Sequence, residues 1–317
     1  PENQYLFRLG FRPPYHWEGM LRFLGPRAIP GVEVVEAGTY RRSIFLNGEE
    51  GFFEVSMHES GLALSVRIQF GDSRALFLII ERIRRMFDLN ADWQTIAARL
   101  RFDRALAGRL EASPGLRVPG CWDGFELAVR AILGQQVTVK GATTLAGRLV
   151  REFGRPFGLA AGVTHLFPRP ELLAEAKLAG IGLPAARAET IRGLAREVRE
   201  GRIRFEGIVD AEEFLARLCE IPGIGKWTAQ YVAMRALGEP DALPTGDLGL
   251  LRALGIGSAR ELEERSMGWR PWRAYAAMYL WNVGGHLAMR GTKSVPAKAK
   301  KMAAEKSASV RRIAVAV

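Results

Sequence analysis

Two cysteines in 317 residues, Cys121 and Cys219, supply neither a disulfide framework nor a metal quartet. A reducing, cytoplasmic setting is the simplest expectation. Long apolar runs are also missing. Runs such as Ala75 to Ile80 fall far short of the ~20 residues that span a bilayer. Pro1 to Leu9 is mixed and polar and carries no signal-peptide pattern. Histidine is scarce: His16, His58, His165 and His286 are the only four, and none sits in an acid–base constellation. No HExxH, P-loop, GxSxG or Cys/His cluster is present. Metal hydrolysis, nucleotide hydrolysis and serine-nucleophile chemistry therefore have no support. Acids are outnumbered, 34 Asp and Glu against 45 Lys and Arg, for a net charge of +11. Residues 291–317 carry +6 of that, which leaves +5 for the body of the chain. A basic body suits a polyanion, although charge alone is also explained by solubility.

What is present is 48% hydrophobic residues, enough for a core, at a length suited to two or three domains. The first 88 residues read as mixed α/β. Strand-like alternation runs through Gln4–Leu9, Val32–Leu46, Phe52–Met57 and Leu62–Gln69, with helical spacing in His16–Leu24 and Ser73–Phe87. After Asp88 strand signals nearly vanish, and the chain to about Met289 reads as helix after helix between Gly/Pro breaks. The Lys/Ala/Ser-rich stretch from 291 to 317 reads as a disordered tail.

The densest signal is Leu218-Cys219-Glu220-Ile221-Pro222-Gly223-Ile224-Gly225-Lys226-Trp227-Thr228-Ala229. An amphipathic helix from Asp210 ends at Pro222. Two glycines permit a tight turn, and a new helix starts near Trp227 and runs to about Leu237. Free backbone N–H groups at that start can hold a phosphate without reading a base. The stretch resembles the helix-hairpin-helix motif of DNA repair glycosylases. Farther on, Leu243-Pro244-Thr245-Gly246-Asp247 delivers an acid into the first turn of another helix. An aspartate there is also what helix capping favours. Three more segments narrow the resemblance: Phe11-Arg12-Pro13-Pro14-Tyr15-His16-Trp17 with Met20 to Leu24, Phe125 to Thr138, and Arg270 to Trp281. Together they resemble the DNA-3-methyladenine glycosylase II family.

The resemblance implies an α+β fold. An N-terminal α/β domain with an antiparallel, TBP-like sheet spans 1–88. One helical subdomain, 122–239, holds the helix-hairpin-helix. A second, 89–121 plus 240–290, carries the catalytic acid across a cleft. It implies a monofunctional glycosylase that flips an alkylated purine out of double-stranded DNA and leaves an abasic site. Asp247 takes the catalytic position. Trp227, Tyr231 and Trp281 match the aromatic base pocket, and Gln136 matches the wedge that fills the vacated stack. Gly223, Gly225, Lys226 and Thr228 match the phosphate-binding hairpin. Carbonyls of Cys219, Ile221 and Ile224 match a site for a sodium or potassium ion. No cofactor is required, no iron–sulfur centre is expected, and the protein is expected to be a cytoplasmic monomer without membrane contact. Bifunctional relatives place a catalytic lysine where Trp227 stands. Lys226 points about 100° away on the helix, so a Schiff base is not expected. Two alternatives remain open at this stage: a non-catalytic DNA damage- or structure-binding protein, and a glycosylase for deaminated or oxidised bases.

Overall fold

The computed structural model describes residues 3–282. The expected tail at 291–317 and His286 lie outside the described residues. Five antiparallel strands form the first sheet, β1 (Gln4–Gly10), β2 (Glu33–Glu36), β3 (Thr39–Leu46), β4 (Glu49–Met57) and β5 (Ala63–Phe70), in the order β1-β5-β4-β3-β2. Asn47 and Gly48 join β3 to β4 with φ of 51° and 90°, the hairpin geometry that Asn-Gly adopts at low cost. Alternation buries Tyr40, Ile44, Phe53, Val55, Val66 and Ile68 on one face. Helices Trp17–Leu24 and Leu76–Met86 cover that face with Met20, Phe23, Ile79 and Ile83.

The all-helical expectation after Asp88 fails at one place. Arg155–Ala160 and Val163–Leu166 form a second, two-stranded antiparallel sheet, β6 and β7. Phe157, Val163 and Leu166 pack on Phe52 of the first sheet in a separate small core. Ser43 Oγ donates to the His165 carbonyl at 2.6 Å. The strands are too short for a periodicity signal, and Pro156 and Gly158 argue against strand locally. Tertiary contact with the larger sheet decides the conformation. The Trp227–Leu237 helix also has a different end: Lys226–Val232 is α-helical and Ala233–Leu237 widens into a π-turn.

Two buried polar clusters tie distant elements together, the first of them joining the sheet to a helix. Arg42 on β3 donates to both oxygens of Glu126, at 2.7 and 3.3 Å, on helix Gly124–Leu133. Glu33 accepts from Tyr40, from the Ile29 amide and from Arg130 at 3.1 Å. Arg130 and Arg42 overcome the burial of the Glu33 carboxyl and hold it below its ordinary value. The helix tied down in this way leads directly into the turn that carries Gln135 and Gln136.

The second cluster centres on Asp88, which accepts from Tyr275 Oη at 2.9 Å and from the Val118 amide at 3.3 Å. Burial pushes its carboxyl from 3.8 up to about 6. The folded state therefore holds this proton more tightly than the unfolded chain. Its contribution is full below pH ~4 and is lost as pH rises through about 6. Asp88→Asn is expected to remove that loss, roughly 3 kcal/mol between pH 4 and 7. Urea titrations of both proteins across this range check it. An unchanged pH slope in the variant contradicts the assignment.

Candidate active site

Asp247 caps the N-terminus of helix Leu248–Leu254, with Oδ1 accepting from the Leu250 amide at 2.9 Å. The capping role is therefore real, and the carboxylate has further partners. Trp281, at the end of helix Arg273–Trp281, donates its indole N–H to Oδ1 at 2.9 Å. Trp227, in the first turn of helix Lys226–Val232, donates its own to Oδ2 at 3.1 Å. Two indoles from segments 54 residues apart thus hold one carboxylate that is only 8% exposed. Both donors fix its orientation. Trp227→Phe keeps an aromatic ring and loses the donor. It is expected to lower single-turnover base release about tenfold with DNA affinity nearly unchanged, as removal of one charge-assisted bond suggests. Stopped assays with binding isotherms check this; a loss confined to affinity contradicts it.

The Tyr231 ring stacks on Trp227, with centroids 5.4 Å apart and planes within 5°. Trp281 lies 6.4 Å from Tyr231 at 60°. The three expected pocket aromatics therefore form one continuous group beside Asp247. Trp227 and Tyr231 also line a cavity, with Val137 and Thr138 from the expected wedge turn and with Arg27, Arg130 and Arg235. No local sequence signal pointed to those arginines. Arg27 and Arg130 come from segments distant in sequence, and Arg235 stands on the helix that carries Tyr231.

Gln136 is exposed and has φ of 57°, a left-handed conformation uncommon for a side-chain-bearing residue. Its neighbour Gln135, unremarked in the sequence, ties the turn to the hairpin. Gln135 Nε2 donates to the Gly223 carbonyl at 2.9 Å and to Thr228 Oγ1 at 3.1 Å. The Thr228 side chain is buried, and its hydroxyl accepts this bond. Gly223 has φ of 94°, and a Cβ there would sit 2.1 Å from Thr190 Oγ1. Gly225 starts the next helix with no side-chain cap, and Lys226 is exposed beside it. The Ile221 carbonyl accepts from the Ile224 amide at 3.0 Å, and Cys219 is exposed on the last turn of helix Ala211–Glu220. Among the described residues no group of three or more His, Cys, Asp or Glu is placed to hold a metal ion. None of the described helices is long and apolar enough to cross a membrane.

Known proteins carry the same organisation. Residues 6–123 match the AlkA N-terminal domain, and residues 129–262 match the HhH-GPD superfamily base excision DNA repair protein. DNA-3-methyladenine glycosylase 2 of Escherichia coli is 34% identical over 285 residues, 88% of this chain and 98% of that protein. The chain belongs to the DNA-3-methyladenine glycosylase 2 family. A probable bifunctional transcriptional activator/DNA repair enzyme AlkA of Mycobacterium tuberculosis is 39% identical over 284 residues. The chain spans 57% of the length of that relative. A 3-methyladenine DNA-glycosylase from Archaeoglobus fulgidus superposes with a TM-score of 0.75 at 25% identity, covering 87% of this chain and 97% of that one. Family membership agrees with the α+β architecture and with the order of its parts, sheet first and hairpin second.

Proposed function

We propose that this protein is a monofunctional DNA glycosylase that excises alkylated purines from double-stranded DNA and leaves an abasic site. The observation that carries the reading is the Asp247 carboxylate, held by two indole N–H groups beside stacked aromatics and one short helix away from a phosphate-type hairpin. Cleavage of the N-glycosidic bond builds positive charge on the sugar. A fixed carboxylate in a water-poor site stabilises that charge and orients the attacking water. Its donors cost no reorganisation at the moment of reaction. A base methylated at N3 or N7 of a purine is cationic and departs without prior protonation. Trp227, Tyr231 and Trp281 offer flat faces to such a base, each contact worth roughly 0.5–2 kcal/mol.

Gln136, exposed at the tip of its turn, fills the space in the stack once the nucleotide has turned out. The backbone amides at Gly223 and Gly225, with Lys226, hold the phosphate. The carbonyls of Cys219, Ile221 and Ile224 suit a monovalent cation in number and chemistry. Ile221 gives one lone pair to Ile224 and keeps the other. Such an ion would supply positive charge next to the phosphate. The protein acts as a monomer on duplex DNA. Borohydride tests the reaction type. With alkylated duplex present, no protein–DNA cross-link and an abasic strand cleaved only by added alkali are expected. A trapped covalent complex contradicts the monofunctional reading.

A further inference from the structure

The turn between helices Gly124–Leu133 and Val139–Phe153 is hydrogen-bonded to a distant segment through one side chain that the chemistry above does not use. Gln135 Nε2 donates to two acceptors at once, the Gly223 carbonyl at 2.9 Å and Thr228 Oγ1 at 3.1 Å. Among the described residues no other hydrogen bond joins residues 134–138 to a distant segment. The rest stay within the turn or run to its flanking helices, as from the Gly134 amide to the Arg130 carbonyl and from the Gln135 amide to the Ile132 carbonyl. The hairpin at the other end is itself held. Thr190, on helix Ala185–Arg199, donates its hydroxyl to the Pro222 carbonyl at 2.8 Å. Consecutive hairpin carbonyls are thus bound by side chains from two different segments. A carbonyl has no hydrogen to give, so the part of Gln135 that faces Gly223 is its NH₂ group. Gln136 follows directly, exposed, with φ of 57°. A residue with a side chain keeps such a conformation only where its surroundings hold it, and Gln135 anchors the adjoining peptide.

We propose that Gln135 is a positioning residue that keeps the Gln136 turn in register with the phosphate-binding hairpin, so that anchoring of the strand and filling of the vacated stack occur as one event. The inference rests on the roles proposed above for Gln136 and for the hairpin. A wedge works only at the base step whose nucleotide turns out. Where that step lies is set by where the hairpin holds the backbone. The two parts come from segments far apart in sequence. Without a link, each would find the duplex separately, and the turn would meet its ordering cost on the DNA. With the link, that cost is met during folding, and the wedge arrives at a fixed offset from the phosphate. Gln135 touches no reacting atom and acts through its neighbour. Its loss therefore matters most when a base pair must be opened and a gap filled. It matters least when the nucleotide is already unpaired and its departure leaves no gap.

Single-turnover release of 7-methylguanine from two duplexes tests this, one with the lesion paired to cytosine and one with it in a single-nucleotide bulge. Gln135→Met keeps the length of the side chain and loses both donors. It is expected to slow release from the paired duplex about tenfold, the scale of one or two hydrogen bonds, and to leave release from the bulge within about twofold of wild type. Both duplexes meet the same protein sample, so a partial loss of folded protein cancels in their ratio. Gln136→Ala is expected to slow the paired duplex as well. Adding Gln135→Met to it should cost less than about twofold more, because residues that act as one unit are not additive. This second arm needs only the paired duplex. Equal losses on the two duplexes overturn the proposal, as do losses that multiply in the double variant. Gln136→Ala at the wild-type rate on the paired duplex overturns the wedge role on which the proposal rests. A wild type that releases no base overturns the glycosylase reading itself.

Discussion

Asp247→Asn is expected to slow base release by about three orders of magnitude while DNA affinity changes less than about threefold. The carboxylate faces developing positive charge on the sugar, and a unit charge at about 4 Å in a partly buried site is worth about 4 kcal/mol. Asparagine keeps the shape and still accepts from the Leu250 amide and the Trp281 indole through Oδ1. Its NH₂ group then meets the Trp227 N–H, donor against donor, where Oδ2 used to accept. Asparagine caps helices as well as aspartate does, so the helix Leu248–Leu254 survives. The hairpin and the Gln136 turn are untouched, which is why binding persists. Near-normal release by this variant removes Asp247 from the chemistry.

Arg42→Met is expected to destabilise the fold by about 3–5 kcal/mol, because it leaves Glu33 and Glu126 buried together without the cation between them. The melting temperature should fall by roughly 10 °C, at about 2–4 °C per kcal/mol for a chain of this size. The double variant Arg42→Met with Glu126→Leu should recover much of the loss, since an apolar pair of similar volume often replaces a buried ion pair at little cost. Calorimetry on the three proteins checks this. If the single and double variants melt alike, the damage is to packing rather than to charge balance. The effect extends to function, because Glu126 and Arg130 stand on the helix that ends in the Gln135-Gln136 turn.

The parts of the site that are contiguous in sequence were legible there. Asp247 follows a Pro/Gly loop, Trp227 and Tyr231 are four apart on one helix, and Gly223 marks a turn that only glycine accommodates. Strands β1, β4 and β5 announced themselves by alternation, since one face is buried and the other is largely open, whereas the single run Val32–Leu46 is broken by a turn at Ala37 and Gly38 into β2 and β3. What was not legible depends on contacts between distant segments. The indole of Trp281 reaching Asp247, the Gln135 bridge to Gly223 and the guanidiniums of Arg27 and Arg235 around Phe23 have no local pattern. The Thr228 hydroxyl, buried and accepting from Gln135, is a further contact between distant segments without a local pattern. The β6–β7 hairpin was invisible because Phe157 and Val163 find their partners on a sheet some hundred residues earlier.

The most direct measurement is single-turnover incubation of the wild-type protein with a duplex containing one 7-methylguanine, followed by separate quantification of free base and strand integrity. The account predicts free 7-methylguanine in amounts equal to the abasic sites formed, with the strand intact until alkali is added. Tight binding to the duplex with no base released would contradict it.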